Sequence, residues 1–182
     1  MAKAKLGPQE LVYPMPAFLV GALNGDCPNF ATVAWGGIVC STPPMVGISL
    51  RPSRFTYKCI KEHSTFSVNI PSITQVAETD FCGIISGSKI DKVFACDFHI
   101  FYGALKTAPL IEECPMNLEC TLSEMTTLGS HVLMIGEIIE SYVSEECLTN
   151  GRPDVDKIRP LSYSAGRVAE YRALGEILGP AF

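Results

Sequence analysis

A chain of 182 residues with 47% apolar but only 18% charged residues predicts one domain over residues 1–182 with a further buried surface, most simply a homodimer contact. The net charge of −5 provides no basic surface for nucleic acid, and the longest apolar run, residues 17–23, falls short of the about 20 residues that a membrane span needs. Prolines at positions 8, 14 and 16 interrupt any apolar leader, so we expect no signal peptide and a cytoplasmic location.

The first part of the chain alternates short apolar runs with strong turn signals. Residues 18–23 predict a buried strand that ends at the turn Asn24-Gly25-Asp26. Residues 29–39 predict the next strand, and Thr42-Pro43-Pro44 separates it from a third strand at 45–50. These short strands and tight turns are typical of an antiparallel sheet.

A helix with unusually placed charges follows this third strand. Apolar residues at 55, 59 and 60 predict a helix over about 53–63, with Ser53 as its N-cap. Arg51, Arg54 and Lys58 then lie at the positive end of the helix, where the macrodipole disfavours cations. An anion bound at this corner would explain the arrangement, because free amides and two guanidinium groups together form a phosphate site. The equally weighted alternative is that both arginines lie in solvent.

The later elements complete a strand-rich pattern. Residues 65–70 alternate apolar and polar side chains and predict a half-buried strand. A 3.6-residue apolar period over 73–84 predicts a second helix that ends near Ser86-Gly87. A strand around 118–122 and the run 131–143, joined by a turn at 128–130, predict an antiparallel hairpin. We therefore expect one antiparallel barrel with helices inserted between its strands.

Eight cysteines are a high number for this length. The closest two, Cys114 and Cys120, are six positions apart, which excludes a Cys-x-x-Cys pair and compact zinc patterns. We expect free thiols in a reducing compartment and no metal site.

Histidine-based catalysis has little support in the sequence. Nucleotide-binding and hydrolase motifs such as Gly-x-Gly-x-x-Gly, the Walker loop and Gly-x-Ser-x-Gly are absent. His63 is expected at a helix end, and His99 in an aromatic run, 98–102, that we interpret as core. His131 opens a strand beside a turn and is a weak catalytic candidate, since no neighbouring residue supplies a nucleophile or an orienting acid. A cofactor that carries the chemistry itself would need less machinery.

Two further segments are suited to such a cofactor. The strand 29–35 offers the amide of Asn29, the hydroxyl of Thr32 and the ring of Trp35 along one edge, although Trp35 is as readily interpreted as core. The basic turn 86–92 contains Gly87, which permits close backbone approach, and Lys92, which could meet the same phosphate. Taken alone this turn is a solvated loop. Together, the segments suit a mononucleotide with an aromatic ring.

These residues occur in an order that resembles a known family, the flavin reductase-like proteins, and within it the flavoredoxin group of FMN-binding split barrels. The resemblance covers essentially the whole chain. The segments that carry it are Asn29-x-x-Thr32-x-Ala34-Trp35, Pro43-Pro44-x-Val46-x-Ile48-Ser49-x-x-Pro52-x-Arg54-x-Thr56, Phe66-x-Val68-Asn69-x-Pro71, Gly83-x-x-Ser86-Gly87-x-x-x-Asp91-Lys92, Leu128-Gly129-x-His131 and Pro160-Leu161-x-Tyr163 with Tyr171.

The resemblance implies a mainly β fold, an antiparallel, Greek-key-like split β-barrel with inserted helices, that forms a homodimer with FMN near the subunit contact. It implies that the isoalloxazine ring and ribityl chain are lined by Asn29, Thr32, Val33, Ala34 and Trp35, continued by Ser49, Leu50 and Arg51. It implies that the phosphate is held by Arg54 and Thr56, assisted by Lys92 and Ser53. The loops expected to close over the cofactor contain Asn69, Ser86 and Gly87.

The implied activity is that of an NAD(P)H-dependent flavin oxidoreductase. A nicotinamide hydride, or electrons from a partner protein, would reduce the FMN, which would pass electrons to an acceptor. Two alternatives stay open. The chain could be an FMN electron carrier without its own NAD(P)H activity, or a non-redox ligand-binding barrel.

Overall fold

An antiparallel seven-stranded sheet forms the centre of the computed structural model, which describes residues 1–181. In chain order the strands are β1 (Met15–Pro16), β2 (Phe18–Asn24), β3 (Cys27–Val33), β4 (Gly36–Ser41), β5 (Pro44–Leu50), β6 (Thr65–Ile70), β7 (Ile100–Phe101), β8 (Leu110–Ile111), β9 (Met116–Leu128), β10 (His131–Val143), β11 (Leu148–Thr149), β12 (Arg152–Pro153), β13 (Ser162–Ala165) and β14 (Ala169–Arg172). The helices are α1 (Phe55–His63), α2 (Val76–Ile84), α3 (Lys92–Ala95) and α4 (Val155–Ile158), with 3-10 turns at Ile73–Gln75 and Glu145–Cys147. The mainly β, antiparallel fold with inserted helices is thus confirmed.

The central sheet has the strand order β3-β2-β6-β9-β10-β5-β4. The predicted strands at 18–23, 45–50 and 65–70 are confirmed as β2, β5 and β6. At the predicted turn Asn24-Gly25-Asp26, β2 and β3 form a hairpin in which Gly25 adopts a positive φ of 56°. The predicted hairpin at 128–130 is also confirmed, with Leu128 paired to His131. Three further strands, β1, β13 and β14, form a separate small sheet.

The prediction of one strand over 29–39 was wrong, because the chain changes sheet edges in the middle of this run. β3 ends at Val33 on one edge of the sheet, and β4 begins at Gly36 on the opposite edge. The two residues between them cross over the end of the sheet, where the carbonyl of Trp35 accepts a hydrogen bond of 2.8 Å from the backbone N–H of Ser49. This crossing joins the two edges and places Trp35 at the mouth of the groove described below.

The start of α1 also differs from the prediction. The helix begins at Phe55, and Arg54 in an extended conformation is its N-cap, without a side-chain hydrogen bond to the first turn. Ser53 is therefore not the N-cap, because the chain is still in the turn that the Arg54 N–H closes onto the Arg51 carbonyl, at 2.9 Å. The first-turn amides of α1 consequently receive no acceptor from a side-chain cap.

The second predicted helix is a 3-10 turn that continues into α2. Ser72 and Gln75 form a capping box at its start. The helix ends at Ile84 with Ile85 extended, so Gly87 is not a C-cap glycine. Its packing explains the glycine instead, since an added Cβ would overlap the side-chain oxygen of Asn29.

Two apolar clusters form the core. The larger lies between the central sheet and α1, and the smaller, which includes Phe30, Cys82 and Phe98, lies against the helices of the 76–98 segment. The assignment of His99 to the core was wrong: Phe98 points inward, whereas His99 faces solvent and contacts Glu113 at 2.6 Å. That hydrogen bond raises the pKa of His99. His63 lies in the last turn of α1, as predicted.

All eight cysteines lie within the described residues as free thiols. Burial raises the pKa of Cys82, Cys114 and Cys120 to about 12, so these thiols stay protonated near neutral pH. Among residues 1–181, no helix combines the length and apolar character needed to cross a bilayer.

Candidate functional site

A groove at the end of the central sheet consists of two adjoining pockets. The first, which we call the aromatic pocket, has a volume of about 320 Å³ and is lined by Trp35, His131, Tyr163 and Tyr171 among others. The second, which we call the cationic pocket, has a volume of about 440 Å³ and contains Lys92. Both pockets are lined by Arg51, Arg54 and Ile84. A ligand with a flat ring and a charged tail would therefore find both environments side by side.

The aromatic pocket has stacked rings on two sides. Trp35 and His131 have their ring centroids 4.6 Å apart at an angle of 34°, and Tyr163 and Tyr171 face each other at 5.7 Å. Aromatic walls of this kind favour a planar, apolar ligand. Thr32 adds a hydroxyl that donates to the carbonyl of Thr79 and ties β3 to α2.

Two titratable groups of this pocket, His131 and Tyr171, are held in neutral forms. Partial burial, and then Arg51, lower the pKa of His131, so its imidazole is neutral at pH 7. His131 Nδ1 shares a 2.8 Å hydrogen bond with the Ser130 hydroxyl. Burial, followed by the nearby Asp80, raises the pKa of Tyr171 to about 12, so its phenol remains protonated. In residues 1–181 no carboxylate lies within 4.0 Å of His131, which gives it no orienting acid.

Lys92 is the most unusual residue of the cationic pocket. It is only 3% exposed, and its ammonium group donates to the carbonyls of Phe30 at 2.6 Å and Cys82 at 2.8 Å. Asp91 caps α3 and so holds Lys92 at its first position. Burial is the main cause that lowers the pKa of Lys92, and Arg54 lowers it further. A positive charge buried in this way has a large desolvation cost unless an anion compensates it.

No such anion is supplied by the described part of the chain. Among residues 1–181, Arg51, Arg54 and Lys92 all lack a carboxylate oxygen within 4.0 Å. Arg54 instead donates to the carbonyl of Gly83 at 3.1 Å, which holds it between the two pockets. Three cations without an acidic partner, next to a helix start that lacks a side-chain cap, are suited to a phosphate group.

The predicted site residues gather in this groove with two exceptions. The aromatic pocket contains Thr32, Val33, Ala34, Trp35, Ser49 and Leu50, together with His131. The cationic pocket contains Arg51, Ser53, Arg54, Thr56, Ser86, Gly87 and Lys92.

Asn29 and Asn69 are the exceptions. Asn29 lies behind the cationic pocket, where it contacts Thr56, and not beside the aromatic pocket. Asn69 is fully buried in the sheet, and its amide makes four hydrogen bonds of 2.8–3.0 Å. The expectation that Asn69 closes over a ligand is therefore not met by its position, because its polar atoms are all used internally.

Sequence reasoning missed several lining residues. Asp80, Gly83 and Ile84 come from one face of α2, and their i, i+3, i+4 spacing was the available signal. Tyr163, Ala169 and Tyr171 come from the β13–β14 hairpin, for which no strand or turn was predicted. The described residues contain no group of three or more His, Cys, Asp or Glu side chains placed to hold a metal ion.

Comparison with known proteins identifies the family of this chain. The model of the flavin reductase like domain family matches residues 11–172. The flavoredoxin of Methanosarcina acetivorans is 38% identical, with a TM-score of 0.94 over 100% of this chain and 96% of that chain. The flavoredoxin of Desulfovibrio vulgaris (Miyazaki F) is 39% identical, with a TM-score of 0.93 over 100% of this chain and 98% of that one.

More distant relatives share the fold or the family. An NADPH-flavin oxidoreductase of Streptomyces viridifaciens is 26% identical over 145 residues, which are 79% of this chain and 71% of the relative. A Shewanella frigidimarina protein with a split barrel domain, 18% identical, has a TM-score of 0.80 over 93% of this chain and 87% of its own. With the family match extending over most of its length, this split-barrel chain belongs to the flavin reductase like domain family.

Proposed function

We propose that this chain binds FMN in the groove and acts as an oxidoreductase that passes electrons from NAD(P)H, or from a partner protein, through the bound flavin. The observation that carries the proposal is the set of three cations, Arg51, Arg54 and buried Lys92, which lack a carboxylate partner among the described residues and adjoin a pocket with aromatic walls. A flavin mononucleotide has one flat ring system and one phosphate, and it would match both pockets.

The residues of the groove fit this cofactor in chemistry. A phosphate dianion would compensate Lys92 and accept charge-assisted hydrogen bonds from Arg54 and from the first-turn amides of α1. Trp35 and the two tyrosines of the β13–β14 hairpin would enclose the ring and exclude water. When bound, FMN would supply the redox chemistry, and the protein would bind it, orient it and shape access to it.

The proteins named above support FMN and leave two versions of the activity. The Streptomyces viridifaciens relative is named as an NADPH-flavin oxidoreductase, which supports direct use of NAD(P)H. The two flavoredoxins, at 38% and 39% identity, support the second version, an electron carrier reduced by another protein. A protein of Thermus thermophilus with 25% identity and a TM-score of 0.82 is named as FMN-binding.

A homodimer is part of the proposal. The edge strand β4 carries Ile38 and Val39, which are 68% and 51% exposed, and Trp35 beside it is 40% exposed. An apolar edge strand is a site for association. A second copy packed here would lie next to the aromatic pocket, since Trp35 and Ser49 line both the pocket and this apolar surface.

An absorption spectrum of the protein reconstituted with FMN tests the proposal. We expect a yellow protein whose visible band bleaches with NADH or NADPH under argon. Bleaching by dithionite but not by either nicotinamide would establish the carrier version. A protein that stays colourless after incubation with FMN would contradict the proposal and favour a non-redox barrel.

A further inference from the structure

Asn29 connects the two walls of the cationic pocket from behind. It lies on β3 with 4% exposure, and its Nδ2 donates a 2.8 Å hydrogen bond to the hydroxyl oxygen of Thr56 at the start of α1. Its Oδ1 lies against Gly87, where an added Cβ would overlap it. Thr56 and Gly87 both line the cationic pocket. One buried amide therefore contacts both the α1 wall and the 86–89 loop.

The hydrogen bond to Thr56 fixes how its hydroxyl can be used. A threonine hydroxyl has one hydrogen and two acceptor lone pairs, and Asn29 occupies an acceptor position. Thr56 is 2% exposed, and no acceptor for its hydrogen lies within hydrogen-bond distance among residues 1–181. The hydrogen is thus available to an anion in the pocket.

The other end of the Asn29 amide argues against a purely structural role. Its Oδ1 is buried and has no hydrogen-bond partner in residues 1–181. An acceptor buried without a donor is unfavourable, so an apolar side chain would stabilise this position better if packing alone mattered. The amide is explained if its Nδ2 orients Thr56.

We infer that Asn29 is a positioning residue for phosphate recognition: it directs the Thr56 hydrogen at a phosphate monoester and supports the Gly87 loop, so that the protein selects FMN over riboflavin. This replaces the expectation that Asn29 contacts the flavin ring or ribityl chain. The inference depends on the proposed function, because it concerns the same FMN site.

The test compares the dissociation constants for FMN and riboflavin, measured by flavin fluorescence on the full-length protein. Asn29→Ala should weaken FMN about tenfold and leave riboflavin within about twofold, because only the phosphate contact is lost. Asn29→Asp should weaken FMN more, since a carboxylate would accept the Thr56 hydrogen and repel the phosphate. Asn24→Ala, which removes an amide from the same hairpin outside the cationic pocket, is the matched control and should change neither constant.

Double variants show whether the effects of two substitutions on FMN affinity depend on each other. A general loss of structure would not produce the dependence expected here. Thr56→Val should weaken FMN by about 10–100-fold, and adding Asn29→Ala should weaken it no further than about twofold. Gly87→Ala should weaken FMN in the presence of Asn29 but have little effect with Asn29→Ala, where the overlap is relieved. Gly87→Ala alone tests the loop contact in a protein that retains Asn29.

Four results would overturn the inference. They are equal losses for FMN and riboflavin, additive effects of the Asn29 and Thr56 changes, an unchanged FMN constant in Asn29→Ala, and a Gly87→Ala loss that persists without Asn29. In each case wild-type protein still binds FMN, and the proposed function stands. If wild-type protein binds no FMN, the proposed function fails and the inference fails with it.

Discussion

Two buried polar clusters in this molecule use the same residue types in opposite ways. In the sheet interior, the Asn69 amide donates to the Leu19 carbonyl and the Ser67 hydroxyl, and accepts from Ile111 N–H and the Asn117 amide. Behind the cationic pocket, Asn29 has one partner at Nδ2 and none at Oδ1 within residues 1–181. Both polar atoms of the Asn69 amide have hydrogen-bond partners, whereas the Asn29 amide oxygen has none among the described residues.

Two buried charged side chains, Glu119 and Lys92, differ in the same way. Buried Glu119 receives hydrogen bonds from the backbone of Ala104 and Leu105 and from the Tyr142 hydroxyl. Buried Lys92 has two carbonyl partners, but no carboxylate within 4.0 Å in the described chain. In this comparison, the cluster whose groups all have partners stabilises the fold, whereas the one without a carboxylate partner borders the proposed ligand pocket. The extent of burial alone does not distinguish these two kinds of cluster, because Glu119 and Lys92 are both buried.

The largest expected effect tests the completed cluster. Asn69→Ala should lower the free energy of unfolding by about 3 kcal/mol, because it removes the centre of a buried network and leaves several groups without partners. Urea denaturation measures this loss. Asn117→Ala, which removes one of these bonds and a second bond to the Ile111 carbonyl, should cause a smaller loss in the same direction. FMN affinity per folded molecule should be unchanged in both variants. A loss of FMN binding without a loss of stability would contradict the assignment of a purely structural role to the Asn69 cluster.

The next effect concerns the incomplete cluster. Arg54→Ala should reduce FMN affinity by about 2–3 kcal/mol, because it truncates a charge-assisted contact to the phosphate. Fluorescence titration with FMN measures it, and the free energy of unfolding should hardly change, since the Arg54 side chain is exposed. Lys58→Ala, on the same helix but outside both pockets, is the control. Unchanged affinity in Arg54→Ala would remove the phosphate assignment.

Lys92 provides a pH test of the same comparison. Its pKa in the folded protein is lowered from 10.5 by burial, so between that lowered value and 10.5 the unfolded chain binds more protons. The stability of wild-type protein relative to Lys92→Met should therefore increase with pH in this window and level off above 10.5.

Denaturation of both variants across alkaline pH measures this slope. The hydrogen bonds that methionine cannot make change the offset between the curves but not their slope. Saturating FMN should flatten the slope, because a bound phosphate favours the charged lysine. Parallel curves without FMN would show that burial does not disfavour the Lys92 charge.

The smallest expected effect is that of Ser53. Because Arg54 and not Ser53 is the N-cap of α1, Ser53→Ala should change the free energy of unfolding by less than about 0.5 kcal/mol. A true N-cap would cost about 1 kcal/mol. Thermal unfolding in the absence of flavin distinguishes the two values, with Ser72→Ala, which removes an observed capping box, as the positive control.

Features determined by neighbours along the chain could be predicted from the sequence. Alternation and turn residues predicted β2, β5, β6 and the β9–β10 hairpin, and charge placement alone indicated an anion near Arg51 and Arg54. The crossing at residues 34–35 could not be predicted in this way, because it depends on which distant strand β4 joins. The place of the β13 and β14 tyrosines in the pocket lining was not predicted for the same reason, since β13 pairs with β1 from near the other end of the chain.

The two asparagines show this limit most clearly. Asn29 and Asn69 both lie in strands among apolar neighbours, and nothing local separates them. Asn69 is satisfied by partners 42–50 residues away, apart from the hydroxyl of Ser67. Only the three-dimensional structure reveals which amide has hydrogen-bond partners for both its nitrogen and its oxygen.

The Lys92 charge, which has no carboxylate partner within 4.0 Å in the described chain, would link the lifetime of this protein to the supply of an anionic ligand. A ligand that binds only the folded form adds about 2.7 kcal/mol at a hundredfold excess over its dissociation constant. If that ligand is FMN, cells rich in the vitamin derivative would keep the chain folded and long-lived. Cells starved of it would hold a pool that opens more often and is degraded sooner by proteases.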